Sequence, residues 1–420
     1  MTSQSQDARD ASITRTGAWG AVFALALCVA TLIASEFMPV SLLTPIATDL
    51  RISEGTAGQA ISVSGIFAVL TSLFISSVIG NIDRKWILLG LTALMLVSGL
   101  VVAFAPTFAI LMIGRALLGV VIGGFWSMSA ATVMRLVGET DVPRALALLN
   151  GGNALATTIA APLGSFLGQY IGWRGAFFAV VPLAALTLVW LFRSLPAMTP
   201  DRAARKPSAL GVLRQPKARQ GMLAVTLLFA GQFAIFTYLR PFLESVTQVN
   251  VSILSLILLI MGGSGLLGTW LIGFLVARRL TATLVALPLV MAAIALALIP
   301  LGSDPIATAV LLAGWGLLGT AVPVAWWTWL SRTLPDDAEA GGGLMVAVIQ
   351  LAITLGASAG GYLFDQSGYE STFLAGALLL GLSGLVGWLS SRPGNASARA
   401  AIADPVADAD GAAICYQQAA

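Results

Sequence analysis

The sequence predicts an all-α polytopic membrane protein, with twelve transmembrane helices in two pseudo-symmetric six-helix bundles. Three observations carry the prediction. Hydrophobic residues fill 58% of the 420 positions and charged residues 10%, against about a quarter charged in soluble domains. Apolar runs of about 20 residues, the length that takes a helix across a bilayer, recur along the whole chain. A shift of 196 residues lays the first half on the second: Glu36-Phe37 on Gln232-Phe233, Pro45 on Pro241, Gly164 on Gly360, Gly172-Trp173 on Gly368-Tyr369, Phe177 on Phe373, and Asp83 on Arg279.

In chain order the expected spans cover 18–44, 56–79, 86–105, 108–134, 144–171, 174–194, 221–243, 252–277, 281–301, 306–331, 340–364 and 371–391. Residues 1–17 read as an N-terminal segment, 18–194 as the first bundle and 195–220 as a basic, Pro-containing linker. Residues 221–391 read as the second bundle, and 392–420 as a disordered tail of small and polar residues. The first apolar run is too long for a cleaved signal peptide and counts as an uncleaved span. Eighteen of the 22 Lys and Arg residues fall on one face, only Arg51, Arg174 and Arg240 fall on the other, and Arg115 is buried between them. Such a bias puts both termini and the linker in the cytoplasm, where the linker's cations suit anionic headgroups.

The chain has no histidine, which removes His-based catalysis and the usual zinc sites. It has no Gly-x-x-x-x-Gly-Lys-Ser/Thr phosphate loop either, so an ion gradient or a partner chain must supply any energy. No catalytic residue, metal or cofactor is expected, nor a nucleic acid or an obligatory protein partner. Cys28 lies in a span and Cys415 in the tail, so there is no disulfide framework.

Two charges lie deep in apolar spans, Glu36 and Arg115. A charge at the centre of a membrane helix costs roughly 2.5–3.5 kcal/mol on insertion scales and marks a substrate or ion pathway. Pro39 removes the amide that would bond the Ser35 carbonyl, loosening the first helix beside the acid. Arg115 lies too far from both ends of its span to snorkel; it is either a coupling partner for Glu36 or a donor to backbone carbonyls. Gly119 and Gly123, on the same span, permit close helix approach.

Polar and aromatic residues at helical spacing outline a candidate substrate cavity: Phe125 and Trp126 on the fourth span, Asn153 on the fifth, Gln232 and Phe236 on the seventh, Trp326 on the tenth, and Gln350 and Thr354 on the eleventh. Amides at membrane depth need partners. With aromatic planes beside them they suit a neutral, planar, hydrogen-bonding solute such as a nucleobase, although a sugar or a drug can use the same groups and Trp326 also fits a membrane-interface role.

Two parallel six-span repeats are the plan of the major facilitator fold, whose site lies at mid-membrane between the halves. Gly80-Asn81-Ile82-Asp83-Arg84-Lys85 resembles that superfamily's cytoplasmic signature in degenerate form, short by one residue and lacking the second glycine; the resemblance implies that Asp83 and Arg84 form a cytoplasmic gate. Leu111-x-x-x-Arg115-x-x-Leu118-Gly119 resembles its fourth-span motif, tied to proton transfer. Ala161-Pro162-Leu163-Gly164 resembles its antiporter signature, although helix packing explains the glycines as well. The stretches SEFMPVSLLTPIATDLRISEGTAGQ, IGRALLGVVIGGFWSMSA, APLGSFLGQYIGW, AGQFAIFTYLRP and VAVIQLAITLGASAGGY resemble bacterial purine ribonucleoside efflux pumps of the drug:proton antiporter branch, from about Ile13 to about Trp388. That resemblance implies a multi-pass inner-membrane antiporter that exports inosine- or guanosine-like nucleosides in exchange for protons. Glu36 and Arg115 would then serve proton coupling. A drug or sugar exporter of the same fold is the alternative; a non-transporting receptor would need an output domain that neither terminus is long enough to hold.

Overall fold

A computed structural model of the protein describes residues 2–79, 82–138, 140–198, 209–334 and 338–391. The tail 392–420, most of the linker and Gly80-Asn81 lie outside them. Helix α1 (Thr2–Leu50) runs unbroken from the N-terminal segment into the first span, and α2 (Glu54–Ile79), α3 (Arg84–Ala103) and α4 (Phe108–Leu136) follow. Helices α5 (Val142–Phe178) and α6 (Val180–Ser194) complete the first half. A 3-10 turn at Ala209–Arg214 leads to α7 (Pro216–Phe236), α8 (Leu239–Ser245), α9 (Val251–Leu301), α10 (Pro305–Gly319), α11 (Ala321–Thr333) and α12 (Ala338–Ser391).

The starts and stops follow local chemistry. The side chains of Asp83, Asn250 and Asp304 accept backbone N–H groups at the N-termini of α3, α9 and α10, taking up donors that the first helical turn leaves unpaired. Pro216 and Pro305 sit at first helical positions, where no N–H is needed. The expected seventh and tenth spans are each divided, at Thr237-Tyr238 and Thr320. Pro241 and Pro323 cannot donate to Thr237 and Gly319, the carbonyls four residues back, so the helix gives way there.

Among the described residues nine helical segments are long and apolar enough to cross a membrane. Three of them, Arg144–Ser194, Val251–Leu301 and Ala340–Leu389, have 50 or 51 residues, more than twice the ~20 that one crossing needs. Each is interrupted inside, at Gly172 (φ 72°), Arg279 (φ −144°, ψ 56°) and Gly368 (φ 78°). Counting each as two crossings reconciles the nine segments with the twelve expected spans. Gly172 and Gly368 are partners under the 196-residue shift and share a left-handed backbone that glycine alone adopts freely. Arg279, the counterpart of Asp83, breaks α9 at the turn where Asp83 begins α3.

Packing follows small residues, as Gly119 and Gly123 predict. A Cβ at either would lie 2.2 Å from the carbonyl oxygen of Ser64 or Ala68, so α4 and α2 touch backbone to backbone. Three apolar cores form among the described residues: one in the first half around Leu25, Leu32 and Phe125, one around Leu42, Ile46 and Trp173 that takes in Tyr238, and one mainly of the second half around Phe242, Trp315 and Phe373 that takes in Val40, Ile61 and Ala161. Two ends of the molecule can be told apart by charge: a basic face with Arg84, Lys85, Arg135 and Arg193, and a far face with Arg51 and Arg174. The halves meet along α1 with α7 and α8, α2 with α12, and α5 with α9.

Candidate functional site

Helix α1 supplies the centre of the seam because its sequence puts a carboxylate beside a backbone defect. Glu36 is 4% exposed. Pro39 and Pro45, inside the helix, cannot donate to the carbonyls of Ser35 and Ser41, four residues earlier. Arg115, 1% exposed, reaches in from α4 and occupies the first gap: its Nη1 donates to Ser35 O at 2.8 Å and its Nη2 to Glu36 O at 3.0 Å. Its remaining donors reach Ala60 O (2.8 Å) and the Ser64 hydroxyl (3.0 Å) on α2. Four oxygens thus surround the guanidinium, and none belongs to the Glu36 carboxylate. Of the two readings the sequence left open, this geometry is that of a donor to backbone carbonyls.

The Glu36 carboxylate faces the other half. Gln350 of α12, 5% exposed, donates from Nε2 to Glu36 Oε1 at 3.1 Å, while its own Oε1 has no hydrogen-bond partner among the described residues. An ionised carboxylate offers about four acceptor sites, so one amide N–H leaves it far from satisfied. A protonated Glu36 would instead need an acceptor, which the free amide oxygen of Gln350 provides after a flip of the amide. The pair therefore has a hydrogen-bonded form for either protonation state.

Next to Glu36, Phe37 stacks on Phe233 (centroids 5.7 Å apart, 29° between planes), and Phe236 meets both rings edge-on at 6.3 and 5.6 Å. Phe37 and Phe233, partners under the 196-residue shift, thus touch each other across the seam. Gln232 is partly buried, its Oε1 has no partner among the described residues, and Gly319 leaves room for its amide: a Cβ there would lie 2.9 Å from Nε2.

The other candidate residues lie in several places. Thr354, 5% exposed, is tied into the seam, its hydroxyl donating to Gln350 O (2.8 Å) and Ser62 O (3.3 Å). Asn153 is partly buried on α5 with Thr157 as its neighbour (Oγ1 to Asn153 O, 2.8 Å). Phe125 is fully buried in a core of the first half and Trp126 packs against that same core. Trp326 is buried in the core of the second half, edge-on to Trp329 at 5.3 Å. Phe37, next to Glu36, packs against both of these cores. The Asp83 carboxylate accepts from Lys85 N (2.8 Å) and, through both oxygens, from Met198 N (2.9 Å), and Arg84 N donates to Met198 O (3.3 Å). Residues 83–84 thereby clasp the chain just after α6, within their own half.

Several seam residues escaped the sequence reading. Asp365 of α12 accepts from Gly55 N (2.9 Å) and the Ser53 hydroxyl (2.6 Å) at the start of α2. Ser358 bonds Gln59 (2.9 Å) and Ser62 (2.8 Å), and Ser255 bonds Ser165 (3.0 Å). Arg240 of α8 donates to Ser41 O across the seam. Only the last left a signal in the sequence, a proline four residues after a buried carbonyl and an arginine with no counterpart in the first half.

Comparison with known proteins agrees with this architecture. The model of the Major Facilitator Superfamily matches residues 24–342. A Pseudomonas aeruginosa protein named "Transcription regulatory protein OpdE" is 55% identical over 396 residues, covering 93% of this chain and 98% of its own. The "Purine ribonucleoside efflux pump NepI" of Escherichia coli is 44% identical over 375 residues, covering 89% of this chain and 94% of its own. The solved nucleoside transporter NupG superposes with a TM-score of 0.71 at 14% identity, covering 88% of this chain and 100% of that chain. The human organic anion transporter MFSD10 gives 0.64 at 17%, covering 88% and 98%. At those identities the two structures show the fold alone. On the family match and the two sequence relatives, this chain is a multi-pass inner-membrane transporter, not an enzyme, and belongs to the Major Facilitator Superfamily.

Proposed function

We propose that the protein exports purine ribonucleosides such as inosine and guanosine in exchange for protons, by alternating access between its two six-span halves. The observation that carries this reading is the Glu36–Gln350 pair: a carboxylate 4% exposed, in the seam, bonded to the half it does not belong to. A proton arriving at Glu36 turns an acceptor into a donor and reverses what that bond asks of Gln350. Proton binding is thus coupled to how the halves meet. Because the cargo is neutral, it competes with the proton through conformation, not by charge exchange.

The 44% identity to a purine ribonucleoside efflux pump supports the cargo. So do the amide oxygens of Gln232 and Gln350, which have no partner among the described residues, together with the rings of Phe37, Phe233 and Phe236; a purine nucleoside offers N–H and hydroxyl donors and an aromatic face. In this reading the basic face and both termini lie in the cytoplasm, and Asp83 and Arg84 brace the cytoplasmic gate from within the first half.

Energised vesicles test the proposal. Wild-type protein is expected to accumulate labelled inosine when a pH gradient is imposed, and Glu36→Gln is expected to lose that accumulation; full coupling in the variant would remove Glu36 from the mechanism. A drug and sugar panel run beside the nucleosides tests the cargo. The 55% relative is named for an effect on transcription, which a transporter can exert through the solute it moves. A transcriptional response that survives in a transport-dead variant would favour a direct regulatory role instead.

A further inference from the structure

The two internal prolines of α1 open two carbonyls, and both are filled by arginines, but from different halves. Arg115 serves Ser35 from within the first half. The Ser41 carbonyl, left open by Pro45, receives Nη1 of Arg240 from the second half. Arg240 is 5% exposed, and its Nε is held by Glu244 one helical turn on, at 2.8 Å. The carboxylate fixes the guanidinium on its own helix and balances its charge, leaving the other edge free to cross the seam. Ser41 is fully buried, so the backbone acceptor has no water to fall back on. A charge-assisted bond to an otherwise unpaired carbonyl is stronger than an ordinary one, because breaking it leaves both groups unsatisfied.

We propose that Arg240 is a positioning residue of the transport cycle: seated on the carbonyl that Pro45 leaves open, it holds the far ends of the two halves together in the state closed on that side. When the far face opens, α1 and α8 must part. Arg240 then gives up Ser41 O and the freed carbonyl must find water, so the strength of this contact, beside those of Asp365 with Gly55 and Ser53, bears on how readily the far face opens. The inference rests on the family's transport between two halves and not on the cargo or the proton, so it can fail or stand independently of the nucleoside reading.

A labelling experiment on the full chain tests it. Ser165 is fully buried where α5 meets α9, and Cys28 is fully buried in the core of the first half, beside Thr92. In a Ser165→Cys, Cys415→Ala background in nanodiscs, maleimide modification at position 165 reports opening of the far side. Modification at Cys28 reports general loosening. Arg240→Gln is expected to speed labelling at 165 by about tenfold, the equivalent of one charge-assisted hydrogen bond, with Cys28 unchanged. Pro45→Ala keeps Arg240 and Glu244 intact but gives the Ser41 carbonyl a donor from its own helix. It is expected to speed labelling by about threefold, a smaller effect because a carbonyl can accept two bonds. The double variant is expected to label no faster than Arg240→Gln alone, since both changes act on the same bond.

Unchanged labelling at 165 in Pro45→Ala would overturn the proposal, as would equal acceleration at Cys28 in that variant, or rates that multiply in the double variant. Should Arg240→Gln fail to fold, Pro45→Ala decides alone.

Discussion

Helices α1 and α7 hold corresponding places in the two halves, yet one carries a carboxylate and the other an amide. Glu36 and Gln232 are partners under the 196-residue shift, and Phe37 and Phe233 beside them are identical. Around Glu36 the first half has built a support: Arg115 and Pro39 fix the backbone from within the half, and Gln350 reaches over from the other. Gln232 packs its amide against Gly319, where a Cβ would lie 2.9 Å from Nε2, and its amide oxygen has no partner among the described residues. One scaffold thus holds a braced carboxylate on one side of the seam and, on the other, an amide whose oxygen has no partner among the described residues. In the proposed reading this difference separates coupling from cargo: the proton goes to the braced carboxylate and the solute to the amide.

The largest expected effect comes from erasing the difference. Glu36→Gln makes the two halves alike and should bring pH-driven accumulation down to the uncoupled baseline. Adding Gln232→Glu should not restore it, because position 232 has no counterpart of Arg115 or Gln350. Recovery of pH-driven inosine uptake in that double variant would show that the support is dispensable.

Arg115→Met comes next. It leaves Ser35 O, opened by Pro39, without a donor and takes second bonds from Glu36 O and Ala60 O, which keep the amides of their own helices; the open carbonyl alone should cost about 1–3 kcal/mol. A fall in the detergent melting temperature is the expected readout. Pro39→Ala in the Arg115→Met background should return about 1 kcal/mol, since the new amide can serve Ser35 O. No recovery would mean that the proline gap is not what Arg115 fills.

The smallest effect is expected at Asp83, far from the seam. Asp83→Ala loses the cap of α3 and the two bonds to Met198 N, about 1 kcal/mol by analogy with other helix caps. The melting temperature should fall slightly, with transport retained if the residue acts only within its own half.

Much of this was legible in the sequence, for reasons that can be located. The 196-residue shift was visible because Gly172 and Gly368 must take the same left-handed turn and Pro45 and Pro241 open the same point of a helix. Close packing of α4 was visible because small residues at Gly119 and Gly123 allow it, although the sequence did not say that α2 would be the partner. What stayed hidden was which side of each helix faces the seam. A helix that is apolar all round gives little periodic signal; Phe125 and Trp326 were expected in the cavity and lie in cores. The partner of Arg115 was hidden too. A buried guanidinium takes whichever acceptors the backbone leaves open, and those are set by where Pro39 of another helix falls in space.

The stack of Phe37 on Phe233 has a consequence for descent. When a chain pairs with a copy of itself about a twofold axis, a residue meets its own copy only on that axis, and the contact is then self-complementary. A six-span protein that dimerised before its gene was doubled would have made this contact between identical rings. Position 36 is the next residue along, close to the axis where a symmetric dimer would have set two carboxylates near one another. In the single chain the two positions differ, Glu36 and Gln232, so the seam carries one carboxylate where a symmetric pair would set two like charges close together.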